Sequence, residues 1–100
     1  TTYLHLAVKF GSSEIFKIFL ERDLIDINVT DDLGNTPLME ACIYKKTNFL
    51  DYFFKKTDLD YLHVNNAGQD ALSLMNKGIT NETKDLIKNK DEYLRMLRKS

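Results

Sequence analysis

Apolar positions along this chain fall into short clusters separated by polar breaks, and the clusters recur. Leu4, Leu38 and Leu72 are 34 residues apart each time. Ala7, Ala41 and Met75 keep the same spacing, as do Ile18, Tyr52 and Leu86, then Phe19, Phe53 and Ile87. A fixed period of this length is the mark of a repeat architecture. Three units are predicted, at about 1–30, 31–64 and 65–90. Each contains two apolar stripes at helical spacing. In the middle unit these are Leu38, Ala41 and Cys42, then Phe49, Leu50, Phe53 and Phe54. The first unit reads Leu4, Ala7 and Val8, then Ile15, Phe16, Ile18, Phe19 and Leu20. The third is weaker, with Leu72, Leu74 and Met75, then Leu86 and Ile87. Stripes at i, i+3 and i+4 predict amphipathic helices. One such short helix cannot bury its apolar face alone, so the units must stack on one another.

The polar breaks carry start and stop signals. Asp31-Asp32-Leu33-Gly34 predicts a turn in which Gly34 supplies a positive φ. Thr36 is placed to cap a helix that begins at Pro37, where the missing N–H is harmless. Thr2 caps the first helix in the same way, and Gly11-Ser12-Ser13, Lys45-Lys46-Thr47 and Lys77-Gly78 separate the two helices of each unit. Beyond the units, Tyr93, Leu94 and Leu97 share one face of a tail helix over about 90–98. This helix is expected to cover the end of the stack, with a linker helix as the alternative.

Composition narrows the function. Apolar residues are 43% and charged residues 29% of the chain, which is ordinary for a folded domain. Fourteen basic and fifteen acidic side chains leave a net charge of −1, so no global field attracts nucleic acid. A single cysteine, Cys42, forbids an intrachain disulfide and points to a reducing compartment, cytoplasmic or nuclear. No apolar run approaches the roughly 20 residues of a membrane span. The chain opens on Thr1 within a patterned segment, so it is read as a piece of a longer protein with further repeats ahead of Thr1.

At this point the residues carry a resemblance. Thr2-Tyr3-Leu4-His5-Leu6-Ala7 and Thr36-Pro37-Leu38-Met39-Glu40-Ala41 resemble the T-P-L-H-x-A signature of ankyrin repeats. Asp31-x-x-Gly34-x-Thr36 is similar to that family's turn, Glu14-Ile15 after Gly11 to the opening of its second helix, and Asn28 stands where the family favours Asn. Departures are Met39 for His, Lys45 for Gly, Asn65 for Asp and Asp70 for Thr, and the period of 34 in place of 33. The resemblance implies an all-α solenoid of helix-turn-helix units joined by β-hairpin-like turns, with a C-terminal capping helix. It also implies a structural role for His5, hydrogen-bonding between adjacent turns.

Candidate chemistry is thin. Cys42 occupies a small inward position where the family usually has Ala, and inert packing is expected of it. His5, His63 and Cys42 lack the spacing of a zinc site. Asp23, Asp26, Asp31 and Asp32 lack the pattern of a calcium loop and read as turn residues and caps. The doublets Lys45-Lys46 and Lys55-Lys56 read as solvated helix ends. No phosphate loop, paired carboxylates or nucleophile elbow is present, so no enzyme activity, cofactor or metal is expected.

The resemblance places a partner protein or peptide along the concave face and turn tips of a monomer. The positions are Lys9 and Phe10, Ile43 and Tyr44, and Lys77 at the exposed ends of the first helices. At the tips they are Asp32, Leu33 and Asn35, then Asn66, Ala67 and Gln69. Phe10 and Tyr44 are 34 residues apart and are expected on one surface. The alternative is a spacer or regulatory lid packed against other domains of a larger chain, enzymatic or membrane-associated.

Overall fold

Capped, short helices account for most of the structure. The computed structural model describes residues 2–22 and 26–99; Asp23, one of the acidic turn candidates, lies outside them. Helices α1 (Tyr3–Lys9) and α2 (Ser13–Glu21) form the first pair. The second is α3 (Pro37–Ile43) with a 3₁₀ turn (Thr47–Phe49) that runs into α4 (Leu50–Phe54). The third is α5 (Ala71–Met75) and α6 (Asn81–Asp85), followed by α7 (Lys90–Lys99). No strand occurs among the described residues.

The three first helices start alike. Thr2 Oγ1 accepts from His5 N at 3.2 Å, and Thr36 Oγ1 from Met39 N at 3.3 Å. Asp70 Oδ1 accepts from Ser73 N at 2.9 Å, so the carboxylate performs the task of the threonine hydroxyl. The helix stops also match. Gly11 (φ +74°) and Lys45 (φ +57°) take the same left-handed turn, closed by Ser12 N to Ala7 O at 3.0 Å and Lys46 N to Ala41 O at 2.8 Å. A side chain in that region costs roughly 1–2 kcal/mol. Lys45 offsets it by donating its Nζ to Met75 O at 2.5 Å, a cation at the C-terminal carbonyl of α5. Lys45 is therefore a cross-unit tie, not only a solvated end.

The connecting turns fold on their own side chains. Asp31 Oδ1 accepts from Leu33 N and Asn35 N at 3.0 and 2.9 Å. Asn65 Oδ1 does the same for Ala67 N and Gln69 N at 3.0 and 2.9 Å, which explains why Asn replaces Asp without loss of the turn. Asp31 N to Asn35 O and Asn65 N to Gln69 O close both turns in hairpin fashion, at 3.0 and 2.9 Å.

Ties about 30 residues long stitch one unit to the next. His5 Nε2 lies 2.7 Å from Asn35 O and Nδ1 lies 2.6 Å from Thr2 Oγ1. A carbonyl can only accept, so Nε2 donates and a neutral ring accepts the threonine hydroxyl at Nδ1. His63 Nε2 repeats the tie to Gly34 O at 2.9 Å. Asn28 donates to Asp58 O and accepts from Asp60 N, both at 2.7 Å.

α3 packs between α1 and α5. Leu4, Val8, Leu38, Ala41, Cys42, Leu72 and Met75 form that buried layer. Phe16, Phe49, Leu50 and Phe53 form a second layer behind it. Tyr93 and Leu97 bury one face of α7 against α5 and α4, so the tail helix covers the stack as the apolar spacing required.

Three details differ from the pattern. The second stripe of the middle unit begins as 3₁₀ turn, which leaves Phe54 only half-buried. α6 ends at Asp85, so Leu86 caps it and is 73% exposed where a buried stripe was expected. Ile15 and Ile18 are also exposed, because no unit precedes α2 to cover them.

Gly34 and Gly68 hold φ of +80° and +78° in equivalent turns, yet only Gly34 is crowded. A Cβ there would sit 2.6 Å from Asn66 Oδ1 and 3.0 Å from Asn66 N, whereas Gly68 faces open space. Gly68→Ala is expected to cost about 1 kcal/mol for its backbone alone. Gly34→Ala is expected to cost clearly more, read as the difference in urea midpoints.

Candidate partner-binding surface

The exposed ends of α1 and α3 bring two rings around one cation. Lys9 Nζ lies 5.9 Å from the centroid of Phe10 and 5.8 Å from that of Tyr44. Phe10 and Tyr44 cap their helices, each with backbone N–H bound to the last turn, so neither ring is needed for the core. They are 74% and 43% exposed, and Ile43 and Lys77 are exposed beside them in sequence. Burial pushes the Glu40 carboxyl, on the same helix as Ile43, above its ordinary range, with His5 and Lys9 acting against that shift.

At the turn tips Asp32 and Leu33 face outward, with Leu33 66% exposed. Asn66 N donates to Leu33 O at 3.0 Å and Asn66 Nδ2 to Asp32 O at 3.1 Å, so the two tips are stacked. That bonding occupies Asn66, although its side chain stays at the surface. Asn35 requires a correction. It was expected at an exposed tip, but it is 4% exposed, because the Asp31 carboxylate turns its backbone inward and Asn65 Nδ2 donates to its Oδ1 at 2.9 Å. Gln69 is drawn the same way, accepting from Asn65 Nδ2 at 3.3 Å. Leu6, absent from the expected set, is exposed four residues before Phe10 on the same face of α1; the spacing of Tyr3, Leu6 and Phe10 at i, i+3 and i+7 carried that signal.

Nothing on this surface is equipped for catalysis. Cys42 is fully buried, and burial pushes its thiol up to about 12. It is expected to resist a thiol reagent at pH 8 in the folded protein and to react only on denaturation, which absorbance of the released chromophore would follow. Among the described residues no three His, Cys, Asp or Glu side chains gather in a metal-binding group. No described helix is long and apolar enough to cross a membrane.

The family described as ankyrin repeats (3 copies) matches residues 4–81. The chain belongs to the ankyrin-repeat family. Ankyrin repeats are generally protein-interaction modules and generally non-catalytic. The chain is 36% identical over 53 residues to human (Homo sapiens) transient receptor potential cation channel subfamily A member 1. That alignment covers 53% of this chain and 5% of the channel. A similar solved structure is described as Bd0816 predatory endopeptidase from Bdellovibrio bacteriovorus in complex with immunity protein Bd3460, with a TM-score of 0.70 and 24% identity. It covers 96% of this ankyrin-repeat chain and 46% of the solved one, a likeness of fold.

Proposed function

We propose that this ankyrin-repeat chain is a non-catalytic module that binds a partner protein or peptide through its concave face, as a monomer in a reducing, cytoplasmic or nuclear setting. The observation that carries the reading is the pair of exposed rings, Phe10 and Tyr44, set around the Lys9 ammonium. Rigid aromatic side chains lose little entropy on binding and are frequent hot spots. Ile43 and Leu33 add exposed apolar area near by in the repeat register, and Lys9 and Asp32 add charge of each sign. The solved neighbour is itself described as a complex of two proteins, which supports a binding role for this architecture.

A face of three units is near the small end of specific interfaces, for which micromolar binding, about −8 kcal/mol, is reasonable. The test is capture by the wild-type chain beside the Phe10→Glu/Tyr44→Glu variant, with circular dichroism showing equal helix content. Both sites are at the surface, so folding should change by less than about 0.5 kcal/mol. Loss of the captured protein, with an affinity drop of tenfold or more, is the expected result. An identical set captured by both variants overturns the concave-face reading and favours a spacer or lid within a larger chain.

A further inference from the structure

Phe16 is the ring through which α2 meets the next unit. Its centroid lies 4.9 Å from Phe49, 6.0 Å from Tyr52 and 4.8 Å from Phe53. Those three positions form the face on which α3–α4 receives α1–α2. The residues 34 places earlier are Ile15, Ile18 and Phe19, all apolar. There they are uncovered: Ile15 is 50% and Ile18 47% exposed, and Phe19 is half-buried, whereas Phe49 and Phe53 are fully buried. Tyr3 is exposed while its equivalent, Pro37, is buried.

The opposite end is built differently. α7 buries Tyr93 and Leu97 and turns Asp91, Arg95, Arg98 and Lys99 outward. A unit that terminates a repeat stack carries a polar outer face of that kind. The first unit carries isoleucines instead.

We propose that Ile15, Ile18, Phe19 and Tyr3 form a receiving face for another ankyrin-type helix pair. That pair presents a large apolar ring as Phe16 does and seats in the register in which α1–α2 seats on α3–α4. The occupant is defined by the interface already present in the molecule: identical spacing, identical helix, and apolar side chains at all three receiving positions. This face is separate from the concave surface that bears Phe10 and Tyr44, so either assignment can fail alone.

The test extends the 100-residue chain at its N-terminus with a copy of its own residues 1–34 and compares thermal unfolding with the unextended chain. One transition is expected, with added helix by circular dichroism and a midpoint higher by about 5 °C. Ile15→Asp/Ile18→Asp in the original first unit should leave the unextended midpoint nearly unchanged and abolish the gain. Equal midpoints, an added copy without helix, or a gain that survives the double substitution overturns the proposal. Sedimentation velocity of the unextended chain supplies the remaining outcome: a dimer dispersed by the same substitutions would assign the face to a second copy.

Discussion

Phe16→Ala is expected to leave the chain largely unfolded. The ring is fully buried and meets three others edge-on, so its removal deletes the link between the second helices of the first two units. Truncating a buried phenylalanine costs about 3–5 kcal/mol, from lost transfer energy and the cavity left behind. Edge-to-face pairs add about 0.5–1.5 kcal/mol each to what is lost. A domain of this size has roughly 5–15 kcal/mol in total, so the change takes a large share of it. Repeat stacks divide their stability among neighbouring interfaces, and here one side chain carries most of one interface. Urea unfolding followed by circular dichroism is the measurement. Ile18→Ala, on the opposite and exposed side of α2, is expected to shift the midpoint by less than about 0.5 kcal/mol equivalent. If the two variants behave alike, the aromatic layer is not what joins the units.

The contrast between Phe16 and Ile18 also shows where sequence reading stops. Both lie on one apolar stripe, and periodicity assigns them the same status. Which of them is buried depends on whether a unit lies on each side of the helix, and spacing alone cannot supply that. The register itself was legible, because caps, turns and stripes all repeat at 34 residues and each has a local cause. The Asp-for-Thr change at residue 70 and the Asn-for-Asp change at residue 65 read as departures, yet each new side chain makes the bond the usual one would make. Lys45 in a left-handed turn was not legible as a tie, since its partner, Met75 O, lies 30 residues away. Asn35 illustrates the same limit on the candidate surface. Its position at a turn tip is local, but its burial follows from the Asn65 amide, 30 residues later. Phe10 and Tyr44 were legible because they fall just after the inward stripe of a helix in both units, where no core position requires an aromatic ring.

Tyr93→Ala is expected to be the second most damaging change, and Tyr93→Phe resolves why. The ring is buried against Phe54 and Tyr61, with centroids 6.4 and 5.1 Å away, and closes the end of the stack. Its hydroxyl accepts from Leu72 N at 2.9 Å and donates to Asp70 Oδ2 at 3.1 Å. Burial holds the phenol protonated at any ordinary pH, so the donor is always present. Losing the whole ring should cost about 3–5 kcal/mol and free α7 from α5. Losing only the hydroxyl leaves a buried N–H in the first turn of α5 without its acceptor, a cost of about 1–3 kcal/mol. Asp70 adds a pH signature. Burial pushes its carboxyl up, but hydrogen bonds from Ser73 and the nearby Lys84 ammonium, 3.1 Å away, outweigh it and hold the carboxyl below its ordinary 3.8. A depressed carboxylate contributes stability above its unfolded value and loses it as pH falls through the lower folded value. The wild type should therefore weaken as pH drops below about 4, and Asp70→Asn should flatten that part of the curve while lowering stability at pH 7. Urea midpoints at pH 7 and pH 3 for the three variants decide it. An Asp70→Asn curve as steep in acid as the wild type would show that the cap and clasp at α5 are not what acid dissolves.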